Sequence, residues 1–170
     1  NGFGEWGIIW IVMSDYFKED KTLLSCSIVE LNTKSKYTNK KANETFNDIK
    51  FLKYLIALQP VKIINWDGTY DGAEAHMKFW FFGWKDFKVT HGENRSEKNL
   101  FTFKDIGSVL PFGLSKWEHT HIVLKKENNV EIVDELNFKG SNNLIMFFVA
   151  PVLIFPIFLR RVLYRTYSWD

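Results

Sequence analysis

Trp117-Glu118-His119-Thr120-His121-Ile122-Val123-Leu124-Lys125 and Val130-Glu131-Ile132-Val133-Asp134-Glu135-Leu136-Asn137-Phe138 read as the two strands of one hairpin, joined by Lys126-Glu127-Asn128-Asn129. Successive strand residues point to opposite faces, so pairing Lys125 with Val130 sets every other partner. One face then carries Trp117 with Phe138, His119 with Leu136, His121 with Asp134 and Val123 with Ile132. The other carries Glu118 with Asn137, Thr120 with Glu135, Ile122 with Val133 and Leu124 with Glu131, a more polar set that belongs toward solvent. The inward face thus places two imidazoles and a carboxylate among apolar side chains. Burying such groups costs free energy unless they are partnered, so they form a matched internal pair or line a binding site.

Working outward, Thr22 to Tyr37 is rich in β-branched and apolar residues and reads as a first strand. Ala42, Phe46 and Ile49 then fall at helical spacing, continuing through Leu52, Leu55 and Ile56 until Pro60 ends the run. Asn39 can cap the start, and the pattern predicts two short helices broken near Asn47-Asp48. Val61 to Trp66 is a strand ending at Asp67-Gly68. Ala75 to Thr90 reads as one long strand with a bulge or bend at Gly83, His91 to Lys98 as a polar loop, and Leu100 to Ile106 as a strand in which Phe101, Phe103 and Asp105 share a face. Gly107 to Ser115 delivers the chain into the hairpin. Gly140-Ser141-Asn142 ends the last strand and caps a helix running to about Tyr164.

The fold class is therefore α+β, with a curved antiparallel sheet whose apolar face needs a cover. The long C-terminal helix is the element able to provide it. A chain of 170 residues, 46% hydrophobic and 17% aromatic, supports one sizeable core. Residues 21–170 are expected to form a single domain, and residues 1–20 an N-terminal extension in which Met13 is a candidate native start. Gly7 to Met13 is a poor signal peptide, lacking basic residues before it and a small-residue cleavage pattern after it. The one cysteine, Cys26, fits a reducing, cytoplasmic setting. A net charge of +2 predicts no nucleic-acid partner, and Lys34, Lys36, Lys40 and Lys41 are followed by Glu44 and Asp48, as on a solvated surface.

Leu144 to Leu159 carries no polar side chain and is followed by Arg160, Arg161 and Arg165. As a helix this run spans about 24 Å against a hydrocarbon core of about 30 Å, and it contains Pro151 and Pro156. A core-covering helix is the first reading, with membrane association as the alternative.

Val109-Leu110-Pro111-Phe112-Gly113-Leu114-Ser115-Lys116-Trp117-Glu118-His119-Thr120-His121, then Ile132-Val133-Asp134-Glu135-Leu136-Asn137-Phe138, then an apolar helix running into Leu159-Arg160-Arg161, resembles the SRPBCC superfamily. These are the START/Bet v 1-like helix-grip proteins, and the likeness is to small bacterial ligand-binding members related to polyketide cyclases. It covers residues 22 to 167. In that group a Pro-Phe loop leads to a Trp-x-His-x-His strand, a later strand carries an aspartate, and the closing helix ends in basic residues. Two departures stand out: Asn39-Lys40-Lys41 replaces the proline that often opens the first helix, and residues 1–20 have no counterpart.

The resemblance implies a helix-grip fold with a hydrophobic cavity between sheet and C-terminal helix. Its expected function is non-catalytic binding or transport of a small hydrophobic molecule: a lipid, a polyketide or an aromatic metabolite. Trp117, His119, His121, Asp134, Leu136, Phe101, Phe103, Phe148 and Phe155 are the expected ligand-binding residues. A polyketide cyclase or aromatase using a His121-Asp134 pair in the same cavity is the alternative, because a carboxylate-held histidine suits general acid-base work. Facing polar residues on an apolar sheet more commonly satisfy each other as a structural pair. Cys26 and the serines lack an activating motif, and Gly-x-Ser-x-Gly is absent. His119 and His121 have the spacing of β-strand metal ligands, yet no third ligand is identified among His76, Asp134 and Asp105. Leu124 and Lys125 stand where a cupin would carry a glutamate. No metal and no cofactor are expected. Gly2-Phe3-Gly4-Glu5-Trp6-Gly7 matches a dinucleotide fingerprint only on paper, since no strand precedes it and no βαβ unit follows.

Overall fold

Seven antiparallel strands form one curved sheet in the computed structural model, which describes residues 23–31, 39–127 and 129–169. In chain order the elements are β1 (Leu23–Leu31), α1 (Asn39–Asn47), α2 (Ile49–Ile56), β2 (Val61–Trp66), β3 (Glu74–Trp80), β4 (Trp84–Ser96), β5 (Leu100–Val109), β6 (Leu114–Lys125), β7 (Val130–Gly140) and α3 (Asn143–Thr166). The sheet order β1-β7-β6-β5-β4-β3-β2 is a meander from β2 to β7, closed by β1 returning beside β7. The expected extension over residues 1–20, and the part of the first strand beyond Leu31, lie outside the described residues.

The β6–β7 register is the one the short connection dictates: Lys125 opposes Val130, and His121 opposes Asp134. Burial alternates along β6, with Trp117, His119, His121 and Val123 inside. The α1–α2 break occurs because Asp48 adopts an extended conformation and its carboxylate accepts from the Lys50 N–H at 2.8 Å, starting a second helix. Asn142 does the same for α3, accepting from the N–H groups of Leu144 and Ile145 at 2.8 and 3.3 Å.

Two expectations about the strands are corrected. Gly83 is not a bulge within one strand but the turn between β3 and β4, with Trp80 opposite Trp84. Phe82 and Gly83 have φ of 49° and 120°, a reversal that glycine tolerates and the flanking aromatics do not advertise. The polar run from His91 is strand, not loop, and β4 continues to Ser96. Pairing with β5 satisfies its backbone whatever its side chains, through register shifts near Val89 and Arg95.

Helix α3 grips the concave face with one stripe, including Met146, Val149, Ala150, Ile154, Ile157, Leu163 and Tyr164, all buried. Its opposite stripe remains apolar and exposed. Phe148, expected to face a cavity, is 66% exposed there because it sits off the inner stripe. By length and composition Leu144–Thr166 is long and apolar enough to cross a membrane.

Two apolar clusters make up the core. One gathers Trp117, Leu136, Phe138 and the first half of α3; the other gathers Phe46, Phe51, Phe101, Phe103, Val123, Ile132 and Tyr164. Along β6 and β7 the residues between these clusters are His119, His121 and Asp134. The candidate site is thus a polar seam across the middle of the concave face.

Candidate functional site

The seam is built from two neighbouring cross-strand rows. In one, His91 of β4 opposes Asp105 of β5, which opposes His119 of β6. In the next, Phe103 opposes His121, which opposes Asp134. All these side chains point inward because they share the period-two phase of their strands. From the other side α3 contributes Arg160 and, one turn later, Tyr164.

The contacts cross between rows. His119 Nε2 lies 2.9 Å from Asp134 Oδ1 in an aligned hydrogen bond, and His121 Nε2 lies 3.2 Å from Asp105 Oδ2 in another. His121 Nδ1 is also 2.9 Å from Asp134 Oδ1, but without hydrogen-bond alignment. His91 Nε2 is 3.2 Å from Asp105 Oδ1, and His119 Nδ1 is 3.6 Å from Asp105 Oδ2. Tyr164 donates to Asp134 Oδ1 at 3.4 Å, and Arg160 Nη1 stands 3.5 Å from the same oxygen. The His121–Asp134 pair read from the sequence is therefore one edge of a larger network whose aligned hydrogen bonds run His119 to Asp134 and His121 to Asp105. His121 also stacks on Phe103, with centroids 4.4 Å apart and planes at 15°.

Asp134 is fully buried, and His91, His119 and His121 are nearly so. Burial pushes the Asp134 carboxyl up, but hydrogen bonds and charge from His119 and His121 outweigh it and hold the group far below the usual carboxylate range. Asp105 behaves alike: burial raises it, and the His121 charge with hydrogen bonds from His119, His121 and His91 brings it well below normal. Burial lowers His121, while Asp105 and then Asp134 reverse that and leave it above its ordinary value. Burial drives the Tyr164 hydroxyl well up, reinforced by the Asp134 charge, so it stays a donor.

Beside the seam, α3, α2 and the concave face enclose a cavity of about 410 Å³. Met77, Phe79, Phe87, Trp117, Leu153 and Ile157 line its body, and Trp80, Leu58 and Phe155, all substantially exposed, lie at its mouth. Its charged lining residues are Asp105, His119 and Arg160 at the seam; Gln59 and the indoles of Trp80 and Trp117 are the other lining side chains with polar atoms. A smaller space of about 50 Å³ lies on the seam's other side, bounded by Phe46, Phe103, His91 and His121 and sharing Asp105 and Arg160 with the larger one.

Of the expected ligand-binding residues, Trp117, His119 and Phe155 border the main cavity, and His121 and Phe103 border the small space. Asp134 and Leu136 are buried behind them, Phe101 is packed in the second apolar cluster, and Phe148 faces outward. Arg160, Tyr164 and His91 were not singled out in the sequence. A signal for the first two existed, since Arg160 lies three residues after Ile157 and four before Tyr164, on the buried stripe of α3. His91 was hidden by its reading as loop.

No protein-family profile matches the sequence, and no curated protein matches it. Solved structures do match in shape. A point mutant of norcoclaurine synthase from Thalictrum flavum, in complex with a transition-state analogue, superposes with a TM-score of 0.52 at 14% identity, over 86% of this chain and 96% of that one. The Zhui aromatase/cyclase from a Streptomyces species gives 0.55 at 8% identity, over 83% and 89%. Major latex-like protein 151 from Panax ginseng gives 0.52 at 12% identity, over 87% and 100%. At these identities the likeness is one of fold: the chain has the helix-grip architecture, as its hairpin and closing helix predict.

Proposed function

We propose that this helix-grip chain binds a small, mostly apolar molecule, with the carbon body in the main cavity and a polar end against Asp105, His119 and Arg160. The observation that carries this reading is the cavity's asymmetry: an apolar chamber of about 410 Å³ with one charged, hydrogen-bonding wall. That volume lies within the roughly 300–1,000 Å³ of small-molecule sites. Affinity comes from removing ligand carbon from water, at about 25 cal/mol per Å² before ordering costs. Orientation comes from the seam, where Arg160 Nε and Nη1 make no hydrogen bond with the described residues. A guanidinium so placed favours an acceptor such as a carboxylate, phenolate or carbonyl oxygen. Lipids, polyketides and aromatic metabolites meet this description, and the single Cys26 suits a cytoplasmic setting. Two of the similar structures, a synthase holding a transition-state analogue and an aromatase/cyclase, are named for chemistry on small organic molecules.

Native mass spectrometry of protein purified from cells tests the reading. A retained small molecule, or thermal stabilisation by members of a lipid and aromatic library, is expected. The absence of both sinks it.

A cyclase-type enzyme is the second reading, favoured by His119, which borders the cavity while its far nitrogen is held by Asp134 at 2.9 Å. A carboxylate-held imidazole reaching a cavity can take and return a proton. In this reading His119, not His121, moves the proton, because His121 borders the smaller space. Cyclisation of a poly-β-keto thioester surrogate should then disappear in His119→Gln with folding intact. Unchanged turnover in that variant would exclude the role.

A further inference from the structure

The geometry points to a binding site for one divalent first-row transition metal at Asp105, His119 and His121. One donor atom from each, the Asp105 carboxylate and a nitrogen of each imidazole, lies within 4.8 Å of the others. The separations from Asp105 Oδ2, 3.2 Å to His121 Nε2 and 3.6 Å to His119 Nδ1, bracket the distance between ligands of a tetrahedral ion with bonds of about 2.0–2.1 Å, which is about 3.4 Å. Two imidazoles and one carboxylate are a common donor set for such ions.

A second observation is independent of that triangle. Once His119 Nδ1 and His121 Nε2 face the ion, their other nitrogens, His119 Nε2 and His121 Nδ1, both stand 2.9 Å from Asp134 Oδ1. Histidines that ligate metals characteristically give their far nitrogen to a carboxylate, which sets tautomer and ring angle. One buried aspartate here holds the His119 ring by an aligned hydrogen bond and stands in ion-pair range of the His121 ring, whose Nδ1 it meets without hydrogen-bond alignment. The far oxygen of the third ligand has an imidazole neighbour, with Asp105 Oδ1 3.2 Å from His91 Nε2, though without hydrogen-bond alignment. The charges are compatible: with neutral imidazoles, Asp105 and Asp134 carry two negative charges against the single positive charge of Arg160. The sequence left the third ligand open because Asp105 lies on another strand, and β5–β6 pairing puts it directly opposite His119.

Because Asp105 and His119 also line the main cavity, an ion held there would border that space, where a water or a donor atom of a bound molecule could complete its coordination. The site shares Asp105 and His119 with the small-molecule reading but does not rest on it, since it is measured with metal alone.

The test uses the full chain, stripped with chelator and titrated with Co²⁺ and, separately, Zn²⁺. One Co²⁺ per chain with visible d–d absorption is expected. Zn²⁺ at about 100 times Kd should raise the melting temperature by roughly 5–10 °C. His119→Ala and Asp105→Asn should each weaken Co²⁺ binding at least about tenfold, and His76→Gln, outside the cluster, should leave it unchanged. Wild-type protein that neither binds Co²⁺ nor is stabilised by Zn²⁺ overturns the proposal without recourse to any variant. Binding that survives in folded His119→Ala, or is lost in His76→Gln, overturns it too.

Discussion

Asp134 has no exposed surface, yet it is the carboxylate on which His119, His121, Tyr164 and Arg160 converge. Removing one partner of a buried charged network leaves the others desolvated without compensation, so Asp134→Ala should cost about 3–5 kcal/mol in urea denaturation. The seam also sets the pH dependence of the metal-free chain. Asp105 and Asp134 titrate below their ordinary range, so the unfolded chain binds more protons in acid. Their stabilisation is present above about pH 4 and is lost as pH falls below it. His121 titrates above its ordinary value, so its contribution is complete below about pH 6.5 and is lost as pH rises through the higher folded value. Melting temperature in chelator should therefore peak between about pH 4 and pH 6.5 and decline on both sides. A monotonic profile would contradict the ion pairing. His121 and Asp134 were legible from strand phase and one short connection. The aligned bond from His119 to Asp134 was not, because it depends on ring rotation rather than on register.

At the scale of elements, α3 shows how far a hydropathy pattern carries. An unbroken apolar run does not mark which side is inside; the concave sheet makes that choice. Ile157 is buried against the first cluster and Phe148 is not. Ile157→Ala should thus cost about 2–5 kcal/mol, and Phe148→Ser should stay within about 0.5 kcal/mol of wild type, both measured by chemical denaturation. The β3–β4 turn offers a backbone counterpart. A Cβ at Gly83 would meet no atom within 4 Å, so Gly83→Val isolates the strain of its positive φ. A loss of about 1–3 kcal/mol is expected in the same measurement.

For the molecule as a whole, the gap between sheet and helix is the feature on which the proposed small-molecule binding rests. Met77 borders both the main cavity and the smaller space, so Met77→Trp should fill volume that a ligand would otherwise occupy. Affinity for an apolar fluorescent probe should fall at least about tenfold, or ~1.4 kcal/mol, in fluorescence titration while the far-ultraviolet circular dichroism spectrum is retained. Undiminished affinity would place the probe elsewhere. Local pattern alone determined much of this architecture: the β6–β7 register, the α1–α2 break at Asp48, the Asn142 cap and the inward phase of His119, His121 and Asp134. Each follows from spacing between residues close in the chain. Tertiary structure alone decided that β4 runs through a polar stretch, that Asp105 and His91 join the imidazoles, that Arg160 closes the seam, and that a cavity stays open beside it. Those outcomes depend on which distant strands pair and how closely α3 approaches the sheet, and periodicity along one segment carries no information about either distance.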